Sequence, residues 1–287
     1  MQRITSRQNA IVARYREASR GGAGQPLLLD GTHLVSEAVA AGIHLQHVLV
    51  AADALDTPEI SQLLAGAGPL VEVAAATSGV MDAVSPVRSS SPIVALGSRQ
   101  SQTRSPFEGA SPLVVVACDV QDPGNLGAII RVAEAAGASG VIVAGISADP
   151  FGWKALRGSM GSALRMPIAT VPSVDAAVDD ARVHHAQVVA TVPRDGTALH
   201  ESNLTRPTAL LIGGEGPGLP AHVIHGADVR VSIPMELQVE SLNAAVAAAV
   251  LLYEAYRQRN VAAPAGAEDQ AAPRRPAAAR PYRPASA

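Results

Sequence analysis

The sequence predicts an α/β protein with two domains. Between residues 112 and 260, apolar runs of strand length alternate strictly with helix-like segments, which favours a mostly parallel sheet covered on both faces. A smaller alternation occupies residues 1–96. Hydrophobic residues make up 48% of the 287 residues but aromatic residues only 2%, so the core has to be packed with Ala, Val, Leu and Ile.

The first domain opens with a basic segment. Residues 1–20 carry five arginines against one glutamate, and the apolar residues between them recur at helical spacing. We therefore expect a basic amphipathic helix there. Its arginines are either simply solvated or, if the second domain acts on RNA, candidates for RNA contact: Arg3, Arg7, Arg14, Arg16 and Arg20. Short strands are predicted at residues 27–29, 48–51, 70–73 and 93–95, with helices between them, the first over residues 34–41.

A linker is predicted at residues 97–111, which are polar and lack periodicity. The second domain, residues 112–260, then contains strands predicted at 113–120, 141–144, 188–191, 208–212 and 229–233. Helices are predicted at 126–136, 174–184 and 239–258. The tail, residues 261–287, is rich in Ala, Pro and Arg and is predicted to be disordered.

Composition indicates a cytoplasmic protein. The single cysteine, Cys118, makes an intrachain disulfide impossible, and the polar N-terminal residues lack the apolar stretch of a secretory signal. The longest apolar run, residues 244–252, is far shorter than a membrane span. The closely spaced histidines lack the cysteine or carboxylate companions of a metal site, so we expect no metal: His184-His185 and His222/His225.

A polar turn and a lone arginine follow the first strand of the second domain. Pro123-Gly124 predicts a turn, and Asn125 is placed to cap the helix at 126–136. Arg131 lies within an otherwise apolar stretch of that helix, where a buried charge needs a partner. Either an ion pair with Glu134 or a contact to a phosphate or ribose would satisfy it.

A glycine-rich loop ends the strand at 208–212. It reads Gly213-Gly214-Glu215-Gly216-Pro217-Gly218, and its glycines let a ligand press against the backbone. The spacing is not that of the dinucleotide fingerprint. A loop that cradles phosphates would not normally hold a carboxylate at its centre, so Glu215 favours a ligand with a cationic part.

A third polar segment joins the last strand to the last helix. Ile233-Pro234-Met235 ends the strand, and Ser241-Leu242-Asn243 follows shortly after. Ser241 or Asn243 could cap the helix. The small side chains of residues 244–250 fit either ordinary helix propensity or close packing in a crowded fold.

Together and in this order, the three segments resemble the motifs of the SpoU/TrmH-type RNA 2′-O-ribose methyltransferases of the SPOUT class. Asn125 and Arg131 match the first motif with its spacing, Glu215 matches the second, and Ser241 and Asn243 match the third. Residues 154–161 resemble the Arg-x-Ser-x-Gly stretch between motifs one and two, which adds Arg157 to the candidate RNA contacts. The resemblance implies a deep trefoil knot in residues 112–260 and an L30e/L7Ae-like RNA-binding domain in residues 1–96.

The resemblance also implies the chemistry. The cofactor would be S-adenosylmethionine (AdoMet), the product S-adenosylhomocysteine, and no metal would be needed. Arg131 would act on the 2′-OH, either as a base assisted by a substrate phosphate or electrostatically, because a free guanidinium is a very weak base. Asn125, Glu215, Ser241 and Asn243 would organise Arg131 and the loops. AdoMet would lie against the backbone of Thr191, Gly213, Gly214, Ile233, Met235 and Leu242.

The expected substrate is a ribose 2′-OH of ribosomal RNA, in particular 23S rRNA, and the expected state is a homodimer with sites completed across its interface. Two alternatives stay open at this point, a tRNA ribose methyltransferase of the same class and a non-catalytic RNA-binding protein with the same fold. The Ala- and Arg-rich composition is also compatible with an actinomycete enzyme of the thiostrepton- or avilamycin-resistance type.

Overall fold

The computed structural model describes residues 1–22, 24–69, 71–99, 103–236 and 238–261. They group into two compact units. The first unit is Met1–Gln100 together with Asp149–Arg165, and the second is Ser101–Ala148 together with the chain from Met166 onward. The predicted tail lies, from residue 262, outside the described residues.

The first unit is built on a sheet with strand order β1-β4-β3-β5-β2. Strands β1, β4 and β3 are parallel, whereas β5 runs antiparallel to both β3 and β2. The strands are β1 (Gln2–Ile4), β2 (Leu27–Asp30), β3 (Leu45–Ala51), β4 (Glu72–Ala76) and β5 (Ile93–Gly97), and the helices between them are α1 (Ala10–Arg20), α2 (Thr32–Ala40), α3 (Pro58–Gly66) and α4 (Ser78–Val84).

The basic segment is not one helix, which corrects the prediction for residues 1–20. Its first residues form β1, which pairs with β4, and α1 begins only at Ala10, where the side chain of Asn9 accepts a hydrogen bond from the Ile11 N–H over 2.9 Å. A strand of three residues is too short to show a periodic sequence pattern. It forms because it pairs with β4, which is distant in sequence. Arg3 therefore lies in a strand and Arg7 in the turn that follows.

A segment from the middle of the chain belongs to the first unit. It holds α6 (Trp153–Ser159) and α7 (Ser162–Arg165), and Trp153 packs against the apolar core of this unit. Ion pairs fix both ends, between Arg99 and Asp149 over 2.6 Å and between Arg165 and Glu37. The predicted boundaries kept this segment in the second domain, and its packing differs from that expectation.

The second unit is built on a wholly parallel sheet with strand order β10-β12-β9-β11-β6-β7-β8. Buried Val and Leu residues dominate the central strands, as in a sheet covered on both faces. The strands are β6 (Leu113–Cys118), β7 (Gly140–Ala144), β8 (Ile168–Val171), β9 (Gln187–Thr191), β10 (Thr197–Ala198), β11 (Thr208–Gly213) and β12 (Val229–Ser232), and the helices are α5 (Pro123–Ala135), α8 (Val174–Val183), α9 (Ala221–Gly226) and α10 (Ala244–Val261).

The predicted linker is partly ordered. Phe107 is buried in the core of the second unit and stacks on the imidazole of His184, with the ring centroids 4.4 Å apart. Residues 100–102 of the predicted linker lie outside the described residues. Phe107 and the bonds of Ser111 to Arg259 and Thr205 therefore fix the end of the segment to the second unit.

Helix α10 begins at Ala244, five residues later than predicted. Its last turns are anchored by Arg259, which donates to the carbonyl oxygens of Leu204, Ser111 and Arg206 over 2.6–2.8 Å. Burial lowers the pKa of this guanidinium. Among the described helices, none is both long and apolar enough to cross a membrane.

Candidate active site

Three loops leave the carboxyl ends of adjacent or near-adjacent strands of the second sheet. They follow β6, β11 and β12, and they carry the three predicted motifs. Since all these strands are parallel, the loops emerge at one edge of the sheet. This edge is where open α/β sheets bind ligands.

Helix α5, which follows the first loop, is capped by Asp122 and not by Asn125. Helix α5 starts at Pro123, and the Asp122 carboxylate accepts a hydrogen bond from the Asn125 N–H over 2.7 Å. Asn125 is therefore in the first helical turn, which corrects the predicted cap. Because the cap is supplied by Asp122, the Asn125 side chain is available for contacts outside the helix.

The glycine loop folds tightly against the first loop. The Gly214 N–H donates to the Cys118 carbonyl over 2.7 Å, and a Cβ on Gly214 would lie 2.7 Å from the Asp119 carbonyl carbon. A Cβ on Gly213 would lie 2.8 Å from the Gly218 backbone. Neither position admits a side chain without moving backbone, so these glycines serve close approach of two chain segments.

The third loop ends at Asn243, which caps α10. Its Oδ1 atom accepts hydrogen bonds from the Ala245 and Val246 N–H groups over 2.9 and 3.3 Å. Of the two predicted caps, Asn243 fills this place, whereas Ser241 lines the pocket described below.

The Asn125 side chain joins all three loops. Its Oδ1 accepts a hydrogen bond from Asn243 Nδ2 over 3.0 Å, and its Nδ2 donates to the Glu215 carboxylate. Asn243 thus uses its amide nitrogen toward Asn125 and its amide oxygen as the helix cap. A single amide chain therefore fixes the mutual positions of the three motif loops.

A pocket of about 370 Å³ opens between the glycine loop, the third loop and the end of β9. Its apolar wall includes Ile212, Leu219, Val231 and Leu251, which suits an aromatic ring. All the residues expected to hold the cofactor line it: Thr191, Gly213, Gly214, Ile233, Met235 and Leu242.

The residues of this pocket fit AdoMet. The volume lies within the range of about 300–1,000 Å³ that small-molecule sites occupy. The apolar wall suits an adenine ring, and the Glu215 carboxylate at the rim suits a cationic group. Within the described residues, no cluster of three or more His, Cys, Asp or Glu side chains is arranged to hold a metal ion.

Arg131 is exposed on α5, which corrects the expectation of a buried charge. It does not line the pocket, and within the described residues its side chain forms no hydrogen bond or ion pair. The guanidinium is thus free to meet a ligand. The ion pair with Glu134 is not needed to explain an arginine at this position.

The arginines of the first unit differ in whether their side chains bond to the protein backbone. Arg7 and Arg16 donate to the carbonyl oxygens of Gly79 and Ala83, at the two ends of α4, over 2.7 and 3.2 Å. Arg14, which bonds Gln46 over 3.4 Å, and Arg20 are exposed on α1. Arg157 is exposed on α6, also in this unit. Two of the six predicted RNA contacts, Arg7 and Arg16, therefore also hold α4 in place.

Sequence reasoning missed two residues of the site region. Asp119 adopts a left-handed conformation, with φ of 55°, and its carboxylate accepts a hydrogen bond from the Ile146 N–H over 2.7 Å. Arg194 donates to the Val239 carbonyl over 3.0 Å. The only available signals were an aspartate directly after a buried strand and the turn Pro193-Arg194-Asp195-Gly196.

Residues 112–253 match the SpoU rRNA Methylase family. The chain is 36% identical over 277 residues to an uncharacterized tRNA/rRNA methyltransferase of Synechocystis sp., covering 92% of this chain and 96% of that protein. It is 43% identical over 142 residues to the 23S rRNA (uridine(2479)-2′-O)-methyltransferase of Streptomyces viridochromogenes, covering 48% of this chain and half of that one.

A solved structure supports the same relation. The SpoU methyltransferase AviRb from Streptomyces viridochromogenes, in complex with AdoMet, aligns with a TM-score of 0.78 at 31% identity, covering 88% of this chain and 99% of that one. The fold, the pocket and these likenesses define the class as AdoMet-dependent RNA 2′-O-methyltransferases. The chain belongs to the SpoU rRNA methylase family.

Proposed function

We propose that this enzyme transfers the methyl group of AdoMet to a ribose 2′-OH of 23S rRNA. The observation that carries the proposal is the pocket itself, whose glycine loop and third loop are both tied to Asn125 of the first loop. Support for the substrate comes from the 23S rRNA enzyme that shares 43% identity over 142 residues. A cytoplasmic location fits this substrate.

The pocket residues would bind and orient the cofactor. Thr191, Gly213, Gly214, Ile233, Met235 and Leu242 present backbone groups and small apolar surfaces to it. When bound, AdoMet supplies a methyl group activated by its sulfonium charge. Glu215, Ser241 and Asn243 line the same pocket, and Asn125 holds Glu215 and Asn243 in register. Positioning of this kind supplies much of the rate of a bimolecular reaction.

We assign to Arg131 the task of holding the ribose hydroxyl and stabilising the negative charge that develops on its oxygen. A guanidinium stays charged at neutral pH, so it is a poor proton acceptor. Its exposure and its lack of bonds within the described residues leave its donors available for RNA. The 2′-OH proton is released to solvent as the methyl group passes to the oxygen, and S-adenosylhomocysteine is the leaving product.

We further propose that the active form is a homodimer formed through α5 and α10. These helices pack against each other, and α10 exposes an apolar stripe with exposed fractions of 40–53%, namely Val246, Val250, Tyr253 and Tyr256. A stripe of this size on a stable helix is typical of a contact surface. Arg131 lies on α5 and does not line the pocket of its own chain. A second copy docked on this face would bring the Arg131 of one copy to the pocket of the other.

The dimer proposal has a direct test. Val250→Glu places a charge on the exposed stripe and should give monomers by analytical ultracentrifugation, with loss of methyl transfer. Val183→Glu, on α8 at 60% exposure, is the matched control and should leave the dimer intact. A dimer that survives Val250→Glu unchanged would place the contact elsewhere.

Two finer proposals concern the fold. We propose that the chain between β11 and α10 passes through a deep trefoil knot, as the family resemblance implies, and that the first unit is an L30e/L7Ae-like RNA-binding domain. The three loops that meet at Asn125 support the first, and the exposed Arg14, Arg20 and Arg157 support the second. A role in antibiotic resistance stays a prediction of the sequence.

The function is tested with purified enzyme, labelled AdoMet and transcripts of 23S rRNA, 16S rRNA and total tRNA. We expect label in 23S rRNA and, after nuclease digestion, in a 2′-O-methylated nucleoside. Label confined to tRNA would favour the tRNA alternative. Tight RNA binding without any label would favour the non-catalytic alternative.

A further inference from the structure

Two segments that line the cofactor pocket are joined by one side chain. The first segment follows β9 and contributes Val192 and Pro193, and the second is the third loop, residues 233–243, which contributes Ile233, Met235 and Ser241. Arg194 lies directly after the first segment and bonds to the second. The first segment is held to the sheet by its own hydrogen bonds, whereas the middle of the second segment is held by its bond to Arg194.

The segment after β9 is fixed to the sheet. The Val192 N–H donates to the Val231 carbonyl over 2.9 Å, and the Ser232 hydroxyl donates to the Gly196 carbonyl over 3.1 Å. A Cβ on Gly196 would lie 2.8 Å from the Ser232 nitrogen, so the chain runs in direct contact with β12. Residues 192–196 therefore form a firm base for the Arg194 side chain.

The third loop has less support of its own. Between Ser232 and Ala244 its described residues form neither helix nor strand, and the Val239 N–H donates to the Glu236 carbonyl over 3.1 Å. Its far end is fixed by Asn243, through Asn125. In the middle, Arg194 Nη2 donates to the Val239 carbonyl over 3.0 Å.

We propose that Arg194 is a positioning residue that holds the third loop in its cofactor-binding form. Arg194 does not line the pocket, so it acts through Val239 and not by touching AdoMet. Its charged donor makes a stronger bond to a carbonyl than a neutral donor would. Without this bond, cofactor binding must also order the loop. The lost conformational entropy of the loop makes the binding free energy less favourable, so the affinity falls.

The inference rests on AdoMet as the cofactor and not on which RNA is methylated. It is tested on the full chain with AdoMet and no RNA, so the identity of the substrate does not enter. Three variants are needed. Arg194→Ala removes the donor, Arg194→Lys keeps a charged donor, and Arg230→Ala removes another exposed arginine of the second unit.

The first readout is AdoMet affinity by calorimetry. We expect Arg194→Ala to weaken binding about tenfold, in line with the loss of one charged hydrogen bond. Arg194→Lys should recover most of this loss, and Arg230→Ala should stay within about twofold of wild type. The second readout is hydrogen exchange of residues 233–243 without cofactor, which should be faster in Arg194→Ala than in wild type.

Two results would overturn the proposal. One is an Arg194→Ala variant that binds AdoMet like wild type. The other is weakened binding that Arg194→Lys does not restore and that accompanies faster exchange throughout the second unit, which would indicate a general loss of stability. Faster exchange limited to the third loop, together with rescue by lysine, supports the positioning role.

Discussion

The Asn243 side-chain amide donates to the Asn125 side-chain oxygen over 3.0 Å, although the two residues are 118 positions apart. One belongs to the first turn of α5 and the other caps α10. The bond therefore connects the start of α5 with the start of α10, beside the pocket that Asn243 lines. Because Asn125 also donates to Glu215, both halves of its amide are used.

Asn125→Asp should weaken AdoMet binding about tenfold. The change replaces the donor to Glu215 by a second carboxylate, and two like charges at hydrogen-bonding distance repel. Calorimetry measures the affinity. Asn260→Asp, near the end of α10, is the matched control and should bind normally. Normal binding by Asn125→Asp would mean that the amide chain does not organise the pocket.

Gly214→Ala should abolish detectable AdoMet binding, whereas Gly216→Ala in the same loop should retain it within a few fold. A Cβ at Gly214 overlaps the backbone of Asp119, so the loop has to move away from β6. A Cβ at Gly216 meets nothing within 4 Å and costs only the strain of its φ of 91°, about 1–2 kcal/mol. Equal affinities of the two variants would contradict the account of the glycine loop.

The free energy of unfolding should fall in acid partly because the Glu254 carboxylate becomes protonated. Hydrogen bonds from Arg257 and Gln258 lower the pKa of this carboxyl from 4.5 to about 2. A carboxyl with a depressed folded-state pKa stabilises the fold above its unfolded pKa and loses that contribution as the pH falls through the folded value. Melting temperatures measured from pH 5 to pH 2 should therefore decline less steeply for Glu254→Gln than for wild type.

The control for this measurement is Glu201→Gln, an exposed carboxylate. Its melting profile should follow wild type across the same range. Identical profiles for Glu254→Gln and wild type would show that the bonds at the end of α10 do not contribute to stability.

The double variant Arg14→Gln/Arg20→Gln should lower RNA affinity and flatten its dependence on salt. Removing one arginine–phosphate interaction reduces the slope of log affinity against log salt by about 0.9 for a duplex or 0.7 for a single strand. The two residues are exposed on α1, so the melting temperature should hardly change. Filter binding over a salt series measures both the affinity and the slope.

Arg7→Gln/Arg16→Gln is the contrasting variant, because these side chains bond to the carbonyls of Gly79 and Ala83. It should lower the melting temperature. An unchanged salt slope in Arg14→Gln/Arg20→Gln would return α1 to the role of a solvated surface helix.

Of the strands described in the second unit, the sequence predicted all but the short β8 and β10, and it did best where the strand is fully buried, as in β6 and β7. The strand expected at 208–212 is observed as Thr208–Gly213, and its apolar run leaves no other interpretation. Errors occurred where distant contacts decide the structure. Strand β1 depends on pairing with β4, and residues 149–165 leave the second unit because Trp153 packs on the first.

The motif residues could be placed from sequence, but their contacts could not. Nothing local distinguishes Asp122 from Asn125 as the cap of α5, since both residue types cap helices well. The exposure of Arg131 also depends on what packs beside α5. Arg194 carries no sequence signal beyond a turn, because its function depends on a carbonyl 45 residues away.

The central claim is that Arg131 serves the chemical step while the pocket serves the cofactor. The decisive measurement quantifies 2′-O-methylated nucleosides by mass spectrometry after 23S rRNA is incubated with AdoMet and either wild type or Arg131→Ala. We predict at least a hundredfold less product from Arg131→Ala, with AdoMet affinity and melting temperature near wild type because the side chain is exposed and outside the pocket. Product formation by Arg131→Ala at a rate near that of wild type would contradict the account.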